Sequence, residues 1–162
     1  MSLDSDEWDG RTMKMAAMIP PGSRVLEFGA GRMVLRKHLP PGCTYMPADL
    51  VKRQPGTILC DLNDRNTSPL AEHDVAFFSG VLEYVYDIPR ALKRLPPTCR
   101  MVIASYATTD APGQAGRVTR IRQGWVNHYT STQFVGVFAR AGYRCLARET
   151  WKSHTLFQFA RR

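Results

Sequence analysis

Three times the chain repeats one short phrase: Ile19-Pro20-Pro21-Gly22 ahead of Val25-Leu26-Glu27-Phe28, Leu39-Pro40-Pro41-Gly42 ahead of Tyr45-Met46, and Leu95-Pro96-Pro97 ahead of Met101-Val102-Ile103-Ala104. Proline lacks the N–H that would continue a helix, and glycine permits the reversal that follows. Each copy therefore marks a helix end and then a new strand. The copies are unevenly spaced, which excludes internal repeats. Alternating helices and strands commit the chain to an α/β sheet.

The segments between these stops have matching periodicity. Asp87 caps a predicted helix with Pro89 in its first turn, and Ile88, Ala91, Leu92 and Leu95 fall on one apolar face. A second begins at Thr130-Ser131-Thr132-Gln133, a capping-box spacing, buries Phe134, Val137, Phe138 and Ala141, and stops at Gly142. A third is expected from about Arg32 to Leu39, and a weaker one over part of Trp8 to Met18. Predicted strands are Arg24–Phe28, Thr44–Pro47, Thr57–Cys60, Val75–Ser79, Met101–Tyr106, Tyr143–Glu149 and Thr155–Ala160. Val75-Ala76-Phe77-Phe78 and Met101-Val102-Ile103-Ala104 are continuous apolar runs, as in strands covered on both faces. The last two strands have only Thr150 to His154 between them, enough for a hairpin, so they are expected to pair antiparallel.

At 162 residues, 44% hydrophobic and 22% charged, the chain reads as one domain, 1–162, that needs no disulfide or metal to hold its core. Residues 1–22 form an N-terminal helix or cap. Cys43, Cys60, Cys99 and Cys145 include no C-x-x-C pair, so no metal site is expected, and all four read as small buried hydrophobes in a reducing setting. No apolar run approaches the roughly 18 residues of a membrane span. The opening Asp4, Asp6, Glu7 and Asp9 have the wrong charge for a signal peptide. A soluble, cytoplasmic protein without a membrane partner is the expectation. The formal net charge of +8 admits an anionic partner or substrate.

The chemistry starts at Val25-Leu26-Glu27-Phe28-Gly29-Ala30-Gly31, a strand entering a glycine turn and then a helix. Gly29 and Gly31 let the backbone fold tightly and a nucleotide-containing ligand lie against it, or else serve the turn alone. Asp49, with Leu50 behind it, ends the second strand, where a carboxylate can accept from both ribose hydroxyls. Dinucleotide and adenosylmethionine sites share that feature. Asp61-Leu62 ends the third strand and offers a second carboxylate suited to an adenine amine, which favours adenosylmethionine.

With these residues in place the chain resembles the class I S-adenosylmethionine-dependent methyltransferases over most of its length. Residues Val25 to Gly31 are similar to the family's first motif, Asp49 to its ribose acid, and Asp61-Leu62 to its adenine contact. Ser79-Gly80-Val81-Leu82-Glu83-Tyr84-Val85 resembles the segment after the fourth strand, and Ala141-Gly142-Tyr143 the turn before the sixth. The resemblance implies a Rossmann-like, doubly wound, mostly parallel sheet of order 3-2-1-4-5-7-6 with an antiparallel last strand. It implies S-adenosyl-L-methionine as cofactor, held by Glu27, Gly29, Ala30, Gly31, Asp49, Leu50, Asp61, Leu62, Ser79, Gly80 and Val81. The chain departs from the pattern in three places. Met33 stands where the family often has a third glycine. Leu50 to Gly56 is too short for the usual crossover helix, so a loop or single turn closed by Gln54-Pro55-Gly56 is expected. No Asn/Asp-Pro-Pro-Tyr/Phe follows the fourth strand, which argues against a nucleic-acid substrate.

Methyl transfer needs an acceptor held in line more than a reactive side chain. Where a base is needed, His128 is the candidate, the alternative being a loop histidine with local hydrogen bonds. Tyr84 either lines the acceptor pocket or packs with Val81 and Val85. Glu27 either holds the first loop or faces the cofactor's amino group, with a helix N-terminus as its other option. The stretch 107–128 is long for a connection and reads as an acceptor-side loop. Its Arg117, Arg120 and Arg122 either bind an acceptor carboxylate or phosphate or form a solvated basic loop. The acceptor is expected to be a small molecule or one exposed group. An NAD-type oxidoreductase and a non-catalytic binding protein are the competing readings.

Overall fold

The computed structural model describes residues 3–65 and 70–162. Seven strands make one sheet: β1 (Arg24–Phe28), β2 (Thr44–Asp49), β3 (Ile58–Leu59), β4 (Val75–Phe78), β5 (Met101–Tyr106), β6 (Tyr143–Trp151) and β7 (His154–Arg161). Their order is β3-β2-β1-β4-β5-β7-β6, as the resemblance implied. The first five pair in parallel, and β7 lies antiparallel to both β5 and β6. The hairpin strands run further than the sequence reading placed them. Trp151 pairs with His154, leaving Lys152 and Ser153 as a two-residue turn.

Four α-helices accompany the sheet among the described residues: α1 (Leu3–Ala16), α2 (Ile88–Lys93), α3 (Arg117–Arg122) and α4 (Ser131–Arg140). Both predicted caps are present. The Asp87 side chain accepts from the Arg90 N–H, and Thr130 and Gln133 close the capping box of α4. The helix expected over Arg32 to Leu39 is instead a five-residue 3-10 turn, Val34–His38, entered through Met33 at φ 58°. A residue with a Cβ rarely adopts that left-handed backbone, and α-helical hydrogen bonding does not propagate from it here. α1 starts earlier than the Trp8 that was expected to open it; residues 1 and 2 of the N-terminal cap lie outside the described residues.

Between β2 and β3 there is no helix. Gln54 accepts from the Thr57 N–H at 3.2 Å and closes the expected turn. No helix is long and apolar enough to cross a membrane among the described residues.

Alternate residues of the central strands enter two cores, because strand side chains point to opposite faces. Leu26, Phe28, Ala76, Phe78, Val102 and Ala104 pack under α2 and α4. Val25, Val75, Phe77 and Ile103 pack with Met15 and Ala16 from α1, with Ile19 just after it and with Leu35. Under α4 the first core is aromatic: Phe138 stacks on Phe159 at 3.8 Å, and Phe134 meets Tyr106 at 4.3 Å and Phe157 at 4.9 Å. Of the four cysteines only Cys99 is buried. Cys43, Cys60 and Cys145 are half-buried, since they sit beside the edge strands and their loops. Replacing Phe134 by Ala removes a ring that contacts five others, and is expected to cost about 3–5 kcal/mol in urea unfolding.

Candidate functional site

A cavity of about 830 Å³ opens at the carboxyl ends of the parallel strands. That volume suits a nucleoside joined to an amino acid. Glu27, Gly29, Ala30, Gly31, Asp49, Ser79, Gly80 and Tyr84 all line it. Leu50, Asp61, Leu62, Val81 and His128 do not.

The glycine turn is held by the end of β2. Asp49 accepts from the Gly31 N–H at 2.8 Å and from the Leu50 N–H at 2.7 Å, one bond on each oxygen. Each oxygen keeps a second acceptor direction, so the carboxylate can still take hydroxyl donors. Gly29 and Gly31 both have positive φ, but they serve different purposes. A Cβ on Gly29 would lie 2.6 Å from the Val81 side chain, so Val81 acts here by seating the turn. A Cβ on Gly31 would meet nothing nearer than 3.9 Å and would occupy the cavity itself. The space beside Gly31 is therefore a cradle that a side chain would fill.

Glu27 lies in the cavity wall, 4% exposed. It accepts from the Tyr45 hydroxyl at 2.5 Å. Burial raises its pKa to about 8; the Tyr45 bond opposes this and nearby Asp49 adds to it. Glu83 is buried too, with one oxygen accepting from the Ala107 N–H at 2.9 Å and the other, Oε2, unpartnered. Burial likewise raises its pKa.

Arg11, on the inward face of α1, was not anticipated. Its Nε donates to Ser79 Oγ at 3.3 Å and its Nη1 to His154 Nε2 at 3.1 Å. A guanidinium can only donate, so His154 carries its proton on Nδ1, beside Ser153 Oγ at 3.3 Å. Burial and the charges of Arg11 and Arg120 lower the His154 pKa to about 4, so the ring is neutral. Arg11 also presses on Gly80, where a Cβ would stand 2.6 Å from Nη2. The sequence carried a signal for Arg11. It stands one helical turn before Met15, on the face that Met15 turns to the core, and only a buried partner or a ligand justifies a guanidinium there.

The segment 107–128 is organised by Arg120, which is 1% exposed, whereas Arg117 and Arg122 are exposed. Arg120 donates to the Ala107 carbonyl at 2.7 Å, to Gln114 Oε1 at 2.6 Å and to His128 Nδ1 at 3.1 Å, and lies over the Trp125 ring. His128 thus has its basic lone pair occupied, and burial with Arg120 and Arg117 lowers its pKa. Gln123, Trp125, Trp151 and His154 complete the cavity wall at this end. Asp61 caps its own turn by accepting from the Asn63 N–H at 2.8 Å and is otherwise exposed. The Leu62 side chain belongs to the core.

A family profile described as "Methyltransferase domain" matches residues 4–148. The chain belongs to this methyltransferase family. The dinucleotide oxidoreductase reading falls with that. No curated protein matches the sequence. Among solved structures, the domain is similar to the 1,6-didemethyltoxoflavin N1-methyltransferase of Burkholderia thailandensis, with TM-score 0.67 and 16% identity over 96% of this chain and 78% of that one. It is similar to the magnesium protoporphyrin IX methyltransferase of Synechocystis PCC 6803, with TM-score 0.69 and 12% identity over 100% and 89%. An O-methyltransferase of neocarzinostatin biosynthesis gives TM-score 0.70 and 15% identity over 99% and 56%. The methyltransferase domain here spans about half the length of several such structures, 55% for the calicheamicin enzyme.

A raised pKa means that the folded methyltransferase domain keeps the Glu27 proton after the unfolded chain has released its own. Stability from this group is complete below about 4.5 and is lost as pH rises towards about 8. Urea unfolding of the ligand-free protein is expected to show this decline, and Glu27→Gln to flatten it.

Proposed function

We propose that the chain transfers a methyl group from S-adenosyl-L-methionine to an oxygen or nitrogen of a small-molecule or exposed acceptor. What supports this most is one juxtaposition. The glycine turn, the Asp49 carboxylate, Glu27 and Arg11 surround a single cavity in a chain of the methyltransferase family. Structures of the same fold were determined with S-adenosylhomocysteine together with 1,6-didemethyltoxoflavin or 1,4-dihydroxy-2-naphthoic acid.

When bound, S-adenosylmethionine supplies an electrophilic sulfonium methyl. Asp49 holds the ribose diol with its remaining acceptor directions. Gly29, Ala30 and Gly31 lay their backbone against the amino-acid portion, and Glu27 accepts from its ammonium group. Arg11 turns its guanidinium towards the carboxylate, with Ser79 and Gly80 beside it. Leu50, two-thirds exposed, and the Asp61 carboxylate with the Leu62 backbone receive the adenine outside the cavity. The lining contains Glu7, Asp9, Glu27, Asp49 and Glu83 against Arg11, Arg32 and Arg53. Burial raises the pKa of both Glu27 and Glu83, so a cationic cofactor entering the cavity draws the Glu27 proton off and does not meet a ready-made excess of negative charge.

Tyr84, Trp125, Gln123 and His154 form the acceptor end. Tyr84 is 46% exposed and offers a ring face and a hydroxyl. His128 positions Arg120 instead of taking a proton, because its Nδ1 lone pair is engaged. In-line placement therefore carries the reaction.

Calorimetry is expected to show binding of S-adenosylmethionine and S-adenosylhomocysteine and none of NAD. Asp49→Ala and Arg11→Met are each expected to weaken binding about tenfold or more, as loss of a hydrogen bond to a charged group does. Absence of binding to the intact chain, or undiminished binding by both variants, would overturn the assignment.

A further inference from the structure

The mouth of the cavity has an apolar collar that no element covers among the described residues. α3 follows β5 and turns Arg120 inward, which leaves Val118, Ile121 and Arg122 on its outward face. Val118 is 64% exposed and Ile121 55%. The helix end is fixed beside the site: Gly124 lies against the Tyr84 ring, the Val126 N–H donates to the Glu83 carbonyl at 2.8 Å, and Gln123 and Trp125 line the cavity. Tyr84 and Tyr86 after β4, and Trp8 on α1, are exposed as well. Solvated aliphatic and aromatic side chains gathered at one entrance are not explained by folding.

Charge selects the occupant. Arg117 and Arg122 flank the two aliphatic residues and make no ion pair among the described residues. Lys52 and Arg53 are exposed on the loop after β2, along the same carboxyl edge. Of the nearby carboxylates Asp9 is paired with Arg32 and Glu7 with Lys152, Asp61 accepts from the Asn63 N–H and Asp110 from Ser131, and Asp6 beside Trp8 is exposed, so the unpaired positive charge is concentrated on α3. Aliphatic side chains next to arginines, with tyrosine and tryptophan alongside, form the pattern that inserts shallowly into an anionic bilayer while guanidiniums reach the headgroups.

We propose that the collar of Val118, Ile121, Tyr84, Tyr86 and Trp8 docks the domain on an anionic lipid surface, from which an amphiphilic acceptor enters the cavity. This rests on the methyltransferase reading of the site. No spanning helix occurs among the described residues, and none is needed, because a collar of this size lies on a membrane without crossing it. Counting apolar runs in the sequence could not reveal it, since the residues involved come from three separate segments.

The test is flotation of the full chain with vesicles of phosphatidylcholine containing phosphatidylglycerol, against pure phosphatidylcholine, at low and high salt. Binding is expected to the anionic vesicles, weaker to the neutral ones, and reduced by salt. The double variant Val118→Asp, Ile121→Asp is expected to lose at least about tenfold in vesicle affinity. Both sites are exposed, so its circular dichroism and its affinity for S-adenosylmethionine should match those of the parent. Failure of the parent to float with anionic vesicles would overturn the proposal and leave the collar to a protein partner. Undiminished flotation of the double variant would overturn it as well. Flotation is read without cofactor, so loss of the cofactor assignment would appear separately, in calorimetry.

Discussion

The arrangement of the site depends on how the backbone of one residue is held. Ala107, the first residue after β5, is gripped from both sides: its N–H donates to Glu83 at 2.9 Å and its carbonyl accepts from Arg120 at 2.7 Å. Burying a carboxylate and a guanidinium is costly unless their hydrogen bonds are made inside the protein. Here Ala107 meets part of that need for each group, leaving Glu83 Oε2 and Arg120 Nη2 without a hydrogen-bond partner and no ion pair between the two groups among the described residues. β4, which leads to Glu83, and the segment 107–128, which carries Arg120, are thereby locked to the end of β5. Asn127 adds a second lock. Its side-chain amide donates to the carbonyls of Leu82 and Val85, and its oxygen accepts from the Tyr106 hydroxyl.

This lock explains why a segment that is irregular over much of its length can still present Gln123 and Trp125 to the cavity. Arg120 fixes both ends of the segment, through Ala107 at one and His128 at the other, and α3 spans the gap between them. Arg11 does the corresponding work on the opposite wall, joining α1 to Ser79 at the end of β4 and to His154 at the start of β7. The cavity is thus enclosed by two buried guanidiniums with Glu83 between their charges. A ligand entering it meets walls whose polar groups are already oriented, so little reorganisation is required on binding.

Much of the frame was legible in the sequence because its signals are local. The three proline stops, the caps at Asp87 and Thr130 and the two apolar strand runs depend on neighbours within a few residues, and the structure has each where it was read. The glycine-turn wall of the cavity was legible for the same reason, since Gly29, Gly31 and Asp49 fall at the carboxyl ends of adjacent strands. The opposite wall was not. Arg11, Trp125, Trp151 and His154 come together only after the sheet has formed, from positions up to 143 residues apart. Arg117, Arg120 and Arg122 look alike in sequence, yet one is a buried hub and two are solvated. Helix phase and the placement of Ala107 decide which.

The shortened elements on one side of the sheet follow from the same economy of chain. Met33 takes the left-handed backbone that the family often gives to glycine, which costs roughly 1–2 kcal/mol, and the turn after it is only Val34–His38. Met33 is itself 8% exposed, so burial of its side chain offsets that strain by a similar amount. With no helix between β2 and β3 either, β2 is covered by side chains more than by backbone, and Tyr45 is the one that reaches through to Glu27. The glycine turn is thus supported from beneath by a phenol hydroxyl and from the side by Asp49. Both supports come from β2, so the placement of that strand sets the geometry of the glycine-turn wall as Ala107 sets that of the wall carrying Gln123 and Trp125.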